Sequence, residues 1–131
     1  MHKMEAQNMS KMIGKKTWVF ADGELPPPGE FPLKAHESII ILNTTDEKAV
    51  CKLTLYFTDR EPVEDIEIVI EPRRVRCVRT NNPDDLQGFV MPLEEQYAMS
   101  FECNVPVIMH YGRLDTRDQP MHFYTNEAYA E

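Results

Sequence analysis

Apolar and polar residues alternate at a period of two along most of this chain, the pattern of strands that bury one face. Cys51, Leu53, Leu55 and Phe57 fall on one side of such a strand, and Lys52, Thr54, Tyr56 and Thr58 on the other. Ile66, Ile68 and Ile70 alternate with Glu67 and Val69, and Val75, Cys77 and Arg79 with Arg74, Arg76 and Val78. Tyr97, Met99, Phe101 and Cys103 alternate with Ala98, Ser100 and Glu102, and Val105, Val107, Met109 and Tyr111 continue the rhythm. Turn-forming residues separate the runs: Asn43-Thr44-Thr45-Asp46, Asp59-Arg60-Glu61-Pro62, Glu71-Pro72 and Asn81-Asn82-Pro83-Asp84-Asp85.

Short strands joined by proline-containing connections predict an all-β chain, a single-domain antiparallel β-sandwich of jelly-roll-like form. Its expected core includes Trp18, Ile41, Leu53, Leu55, Phe57, Ile68, Met99, Phe101 and Val107. Helix is expected only as one turn at 84–87 and weakly in the acidic end, 126–131. Residues 1–12 show neither a period nor a cap and are read as a flexible extension. The sandwich is expected over 13–126, with 127–131 as a tail. The rigid Pro26-Pro27-Pro28-Gly29 segment reads as a stiff connection across the sandwich; a ligand for a proline-binding domain is the alternative.

Composition narrows the class. A chain of 131 residues that is 42% hydrophobic and 27% charged is an ordinary globular domain, able to bury one core without staples. No run approaches the ~20 apolar residues of a membrane helix, and no secretory signal is evident, so a cytoplasmic location is expected. Lys and Arg number 14 against 22 Asp and Glu, a net charge of −8 that repels nucleic acid and anionic membrane. The one basic cluster, Arg73-Arg74-Val75-Arg76-Cys77-Val78-Arg79, splits its charge between two strand faces and has no stacking aromatics. It reads as the partner of the acidic strand at 64–71, with Glu67 facing an arginine, and DNA contact is not expected. The cysteines, Cys51, Cys77 and Cys103, each sit in an apolar alternation and read as small buried core residues.

Candidate chemistry gathers at two strand ends. His36 and Glu37 precede an apolar strand; His110 ends another and is followed by Arg113, Asp115 and Arg117. If the segments are neighbours, His36, Glu37, His110, Arg113, Asp115 and Arg117 form one polar pocket. Its arginine forks suit the carboxylate, phosphate or hydroxyl groups of an anion or carbohydrate. The alternative is that Arg113 and Asp115 tie down their own turn and a subunit contact. His36, Glu37, His110, Asp115 and His122 offer metal-binding atoms at no spacing that fixes a geometry, so no metal is expected. No nucleophile elbow or phosphate-binding glycine loop is present, and neither a cofactor nor an enzymatic reaction is expected.

Several segments carry a family resemblance. They are Trp18, Gly23 and Pro26-Pro27; His36-Glu37 and Ile41-Leu42-Asn43; Tyr56, Asp59 and Glu61-Pro62-Val63; Pro72-Arg73-Arg74 and Val78-Arg79; and Asn104-Val105-Pro106, His110 and Arg113-Leu114-Asp115-Thr116-Arg117. In this order, over about residues 13–126, they resemble the soluble transducers associated with sensory rhodopsins. The resemblance implies a β-sandwich assembled into a homotetramer. It also implies a non-enzymatic signalling adaptor whose partner is a membrane photoreceptor or another signalling protein. A small-ligand-binding module built on the His/Arg/Asp cluster is the alternative. Tyr56, Val69 and Val78 supply apolar groups on otherwise polar faces, where a second subunit would cover them.

Overall fold

One strand belongs to both layers of this molecule. The computed structural model describes residues 13–117 and 121–131, and the expectation for residues 1–12 lies outside them. Eight strands form: β1 (Lys15–Gly23), β2 (His36–Asn43), β3 (Ala49–Phe57), β4 (Val63–Ile70), β5 (Arg74–Arg79), β6 (Tyr97–Asp115), β7 (His122–Asn126) and β8 (Tyr129–Ala130). β6 is 19 residues long. Its first half lies between β3 and β1, giving a sheet ordered β4-β3-β6-β1-β8. Its second half lies between β2 and β7, giving β5-β2-β6-β7. Every pairing of these strands is antiparallel, so the fold is the expected all-β antiparallel sandwich.

Pro106 marks the handover. The register of β3 with β6 ends at Cys103, and that of β2 begins at Ile108. A proline cannot donate a ladder bond, so the gap between two sets of partners is where a central strand can hold one. Alternation survives the crossing, because Cys103, Val105, Val107, Met109 and Tyr111 are all buried. The same inward side therefore serves both sheets.

Of the expected core, Ile41, Leu53, Leu55, Ile68, Met99, Phe101 and Val107 are buried, while Trp18 and Phe57 pack partly buried against them. Each fully buried large apolar side chain contributes roughly 1.5–3 kcal/mol. The Trp18 indole N–H donates to the carbonyls of Lys15 and Val107 at 3.0 and 3.1 Å, which fixes the ring at the sandwich margin. The segment after β1 is an irregular connection, tied by an N–H of Ala35 donating to the carbonyl of Pro28 at 3.0 Å. A 3-10 turn, Pro83–Leu86, stands where one turn was expected and is capped by Asn82.

Four expectations are corrected. The acidic end is not helical: β7 runs to Asn126, and Tyr129–Ala130 pairs with β1 as β8. Cys77 is exposed, and the inward face of β5 carries Val78 and the half-buried Arg76. Arg76 tolerates that side because it donates to the Val69 carbonyl at 2.9 Å and lies 3.4 Å from Asp85. Val78 is accordingly core and not an outward group. Glu67 faces Lys52 on β3 rather than an arginine, since β5 pairs with β2 and not with β4. Among the described residues no helix is long and apolar enough to cross a membrane.

Candidate functional site

The start of β2 and the end of β6 are hydrogen-bonded neighbours, so the two segments that carry the candidate residues do meet. His36 faces Leu114, Glu37 faces Arg113 and Ile40 faces His110. The two-residue period of a strand then divides the set. Glu37 shares the inward side with Ile39, and Arg113 and Asp115 share it with Tyr111; His36 and His110 stand on the outer face. The structure brings Glu37, Arg113, Asp115 and Arg117 to one end of the interior, and leaves the histidines behind the sheet. His36 is held locally, with Nδ1 3.0 Å from the Lys34 carbonyl oxygen.

Glu37 is fully buried. A carboxyl group there must satisfy its acceptor sites internally. Oε1 accepts from the hydroxyls of Thr80 and Tyr97, both at 2.8 Å. Oε2 accepts from the Glu24 N–H at 3.0 Å and from the Tyr111 hydroxyl. Four donors thus converge on one side chain: two from the opposite ends of β6, one from the residue after β5 and one from the residue after β1. Burial, with Glu37 beside it, raises the Tyr97 and Tyr111 phenols above their ordinary values, so both hold their protons. Gly23 makes room for this network: a Cβ there would lie 2.6 Å from Cζ of Tyr97.

Glu24 links the network to the arginines. Its carbonyl accepts from Arg113 at 3.4 Å, and the Arg113 guanidinium lies 4.8 Å from the centre of the Tyr124 ring. Arg117 closes the end of the sandwich. Its Nε donates to both oxygens of Asp115, at 3.1 and 3.0 Å, and Nη1 donates to Glu94 at 2.8 Å. The hydrogen bond from Arg117 holds the Asp115 carboxyl below its usual range, and the same bond raises Arg117. Glu94 takes a left-handed φ of 58°, steadied by its N–H donating to the Leu25 carbonyl at 2.8 Å. Arg117 also lines an open depression with Pro27, Gly29, Glu30 and Phe31.

The composition of the strands did not disclose Thr80, Tyr97, Tyr111, Glu24 and Glu94 as members of this cluster. Parity was the available signal for two of them. Tyr97 and Tyr111 share the inward phase of β6, and a buried phenol requires a hydrogen-bond partner. Among the described residues, no buried side-chain nitrogen or oxygen lacks such a partner. The chemistry of this end is therefore that of a cross-linked keystone.

The two sheets differ outside. On the first, Glu67, Lys52, Glu102 and Thr17 lie in one cross-strand row, and Thr17 donates to Glu102 at 3.0 Å. On the second, the matching rows read Val75, Leu42, Ile108, then Cys77, Ile40, His110. Val75 is 63% exposed, Leu42 37% and Ile108 36%. Phe123, 68% exposed, extends the apolar surface over Gly112, where a Cβ would come within 3.2 Å of the ring. A polar outer face suits a lone sandwich, and these central rows of the second sheet are the more apolar.

Comparison with known proteins places these features. A sequence profile for the Anabaena sensory rhodopsin transducer family matches residues 13–130. The crystal structure of Thermotoga maritima 1070 superposes with a TM-score of 0.80 at 34% identity, over 92% of this chain and 97% of that one. The Anabaena sensory rhodopsin transducer superposes with a TM-score of 0.65 at 32% identity, over 83% of this chain and 93% of that one. No curated protein sequence matches the chain.

Proposed function

The chain belongs to the Anabaena sensory rhodopsin transducer family, and from that premise we propose that it is a non-enzymatic cytoplasmic signalling adaptor, working as a homotetramer. Its partner is a membrane photoreceptor or another signalling protein. The observation that carries this reading is the apolar outer face of the second sheet. Val75, Leu42, Ile40 and Ile108 stand side by side across three strands, where solvent favours charge. Covering that face with protein removes apolar surface from water at roughly 25 cal/mol per Å². The keystone cluster supports the same reading, because its polar groups are engaged with one another and stiffen the scaffold behind the face.

Light scattering tests the assembly. The chain of 15.3 kDa is expected at four times that mass at micromolar concentration. Val75→Glu with Ile108→Glu should reduce it to a monomer with an unchanged far-ultraviolet spectrum, because both positions lie outside the core. A wild-type protein that scatters as a monomer overturns the assembly. The adaptor role is tested separately, by calorimetric titration against a detergent-solubilised rhodopsin-type receptor from the same organism and against candidate soluble signalling proteins. Absence of binding to all of them overturns that part alone.

A further inference from the structure

Cys51 and Cys103 face each other across β3 and β6, on the inward side, and are 0% and 7% exposed. The type of pairing follows from the directions of the backbone N–H groups, which alternate along a strand. The Val50 N–H donates to Oδ1 of Asn104 at 2.7 Å and so points toward β6. That of Cys51 then points the other way, toward β4. An independent bond agrees: the Glu67 N–H donates to Gln87 at 2.9 Å, off the free side of β4. Ile68, the β4 partner of Cys51, therefore turns its N–H toward β3. Cys51 and Cys103 are a non-hydrogen-bonded pair, the type whose Cα atoms approach to about 4.5 Å. That lies within the roughly 4.4–6.8 Å that a disulfide spans.

We propose that Cys51 and Cys103 are an oxidation site, at which hydrogen peroxide converts the two facing thiols into one disulfide that joins β3 to β6. One thiolate attacks a peroxide oxygen, the O–O bond breaks, and the departing oxygen leaves as water, giving a sulfenic acid. The sulfur of the second cysteine then displaces the sulfenic oxygen, also as water, and the S–S bond forms. The sulfurs lose two electrons together, the peroxide gains them, and both thiol protons end in water. Cys103 is the less buried of the two, and so is the sulfur that a small oxidant meets first. Neighbouring Cys51, and then burial, push the Cys103 thiol up, so the first step is slow at neutral pH, and the second, between residues paired directly across two strands, is fast. Cys77 stands alone on the outer face and has no such neighbour.

The test uses the full chain carrying Cys77→Ser, with wild type alongside. Folded protein is treated with hydrogen peroxide, quenched, denatured, alkylated and digested without reductant. The expected product is a peptide pair joined through Cys51 and Cys103, lighter by two hydrogens and reversed by dithiothreitol. Closing a loop of about fifty residues should raise Tm by roughly 5–15 °C. The proposal is overturned if both cysteines remain alkylatable, or if oxygen is added to sulfur without a link. It is also overturned if the link forms only after denaturation, or if Tm falls.

Discussion

Glu37 and Arg113 stand directly opposite each other on β2 and β6, yet each is held by other groups. The carboxyl of Glu37 accepts from Thr80, Tyr97, Tyr111 and the Glu24 N–H. Arg113 instead donates to the Glu24 carbonyl and lies over Tyr124. Removing the arginine therefore leaves the carboxyl satisfied, whereas altering the carboxyl disturbs four donors together.

Glu37→Gln is expected to be costly although it keeps shape and size. The amide replaces one acceptor oxygen by an NH₂ group, which then confronts two donors. Leaving buried donors unsatisfied costs about 1–3 kcal/mol each, so a loss of about 2–6 kcal/mol is expected in urea unfolding. A loss below 1 kcal/mol would show that the network is dispensable.

The tyrosines give an alkaline signature. Tyr97 and Tyr111 have folded pKa values above the ordinary 10.0. Their contribution to stability is complete below about pH 10 and is lost as pH rises past it, since the unfolded chain ionises first. Ultraviolet titration should show these two phenols ionising together with unfolding. Their smooth titration in the folded protein would contradict the burial argument.

Asp115 gives the acid counterpart. Its folded pKa lies below the ordinary 3.8, so its contribution is present above that pH and is lost as pH falls through the folded value. Asp115→Asn should flatten the acid limb of a stability-against-pH curve while leaving the alkaline limb in place. An unchanged acid limb would remove Asp115 from the account.

Gly23→Ala probes the space behind the network. The new methyl would enter the Tyr97 ring, and overpacking of this kind costs about 1–3 kcal/mol. Combined with Tyr97→Phe, the loss should be less than additive, because the Tyr97–Glu37 hydrogen bond is disturbed in both. Strict additivity in a double-mutant cycle would show that Gly23 acts elsewhere.

Leu55→Ala tests the core itself. The side chain is fully buried on β3, and truncation should cost about 2–5 kcal/mol in denaturant unfolding. A change near zero would show that the site collapses without leaving a cavity.

The strands were legible because one face of each is apolar and the other polar, as in 51–57 and 97–103. β5 misled for a physical reason. Its Val75 and Cys77 side is the more apolar one, yet Arg76 and Val78 face inward, since the outer surface of that sheet is itself apolar. Alternation reports which residues share a side, not which side is the interior. The candidate site was half legible in the same way. His36 and Glu37 are adjacent, so they had to point apart, and His110 had to oppose Arg113. The donors to Glu37 lay beyond the reach of local pattern, because Thr80 and Tyr111 are joined to it only by strand pairing across the fold.

Shared ownership of β6 has a consequence for how the protein is made. During synthesis β1 through β5 are complete before any of β6 exists, and the local ladders available to them are only β3 with β4 and β2 with β5. β1 has no partner until residue 97 onward is translated. The nascent chain therefore carries β1 unpaired until β6 is made, and closure depends on contacts distant in sequence, which are slow to form. Both layers then acquire their central strand from one late segment, so they close almost together.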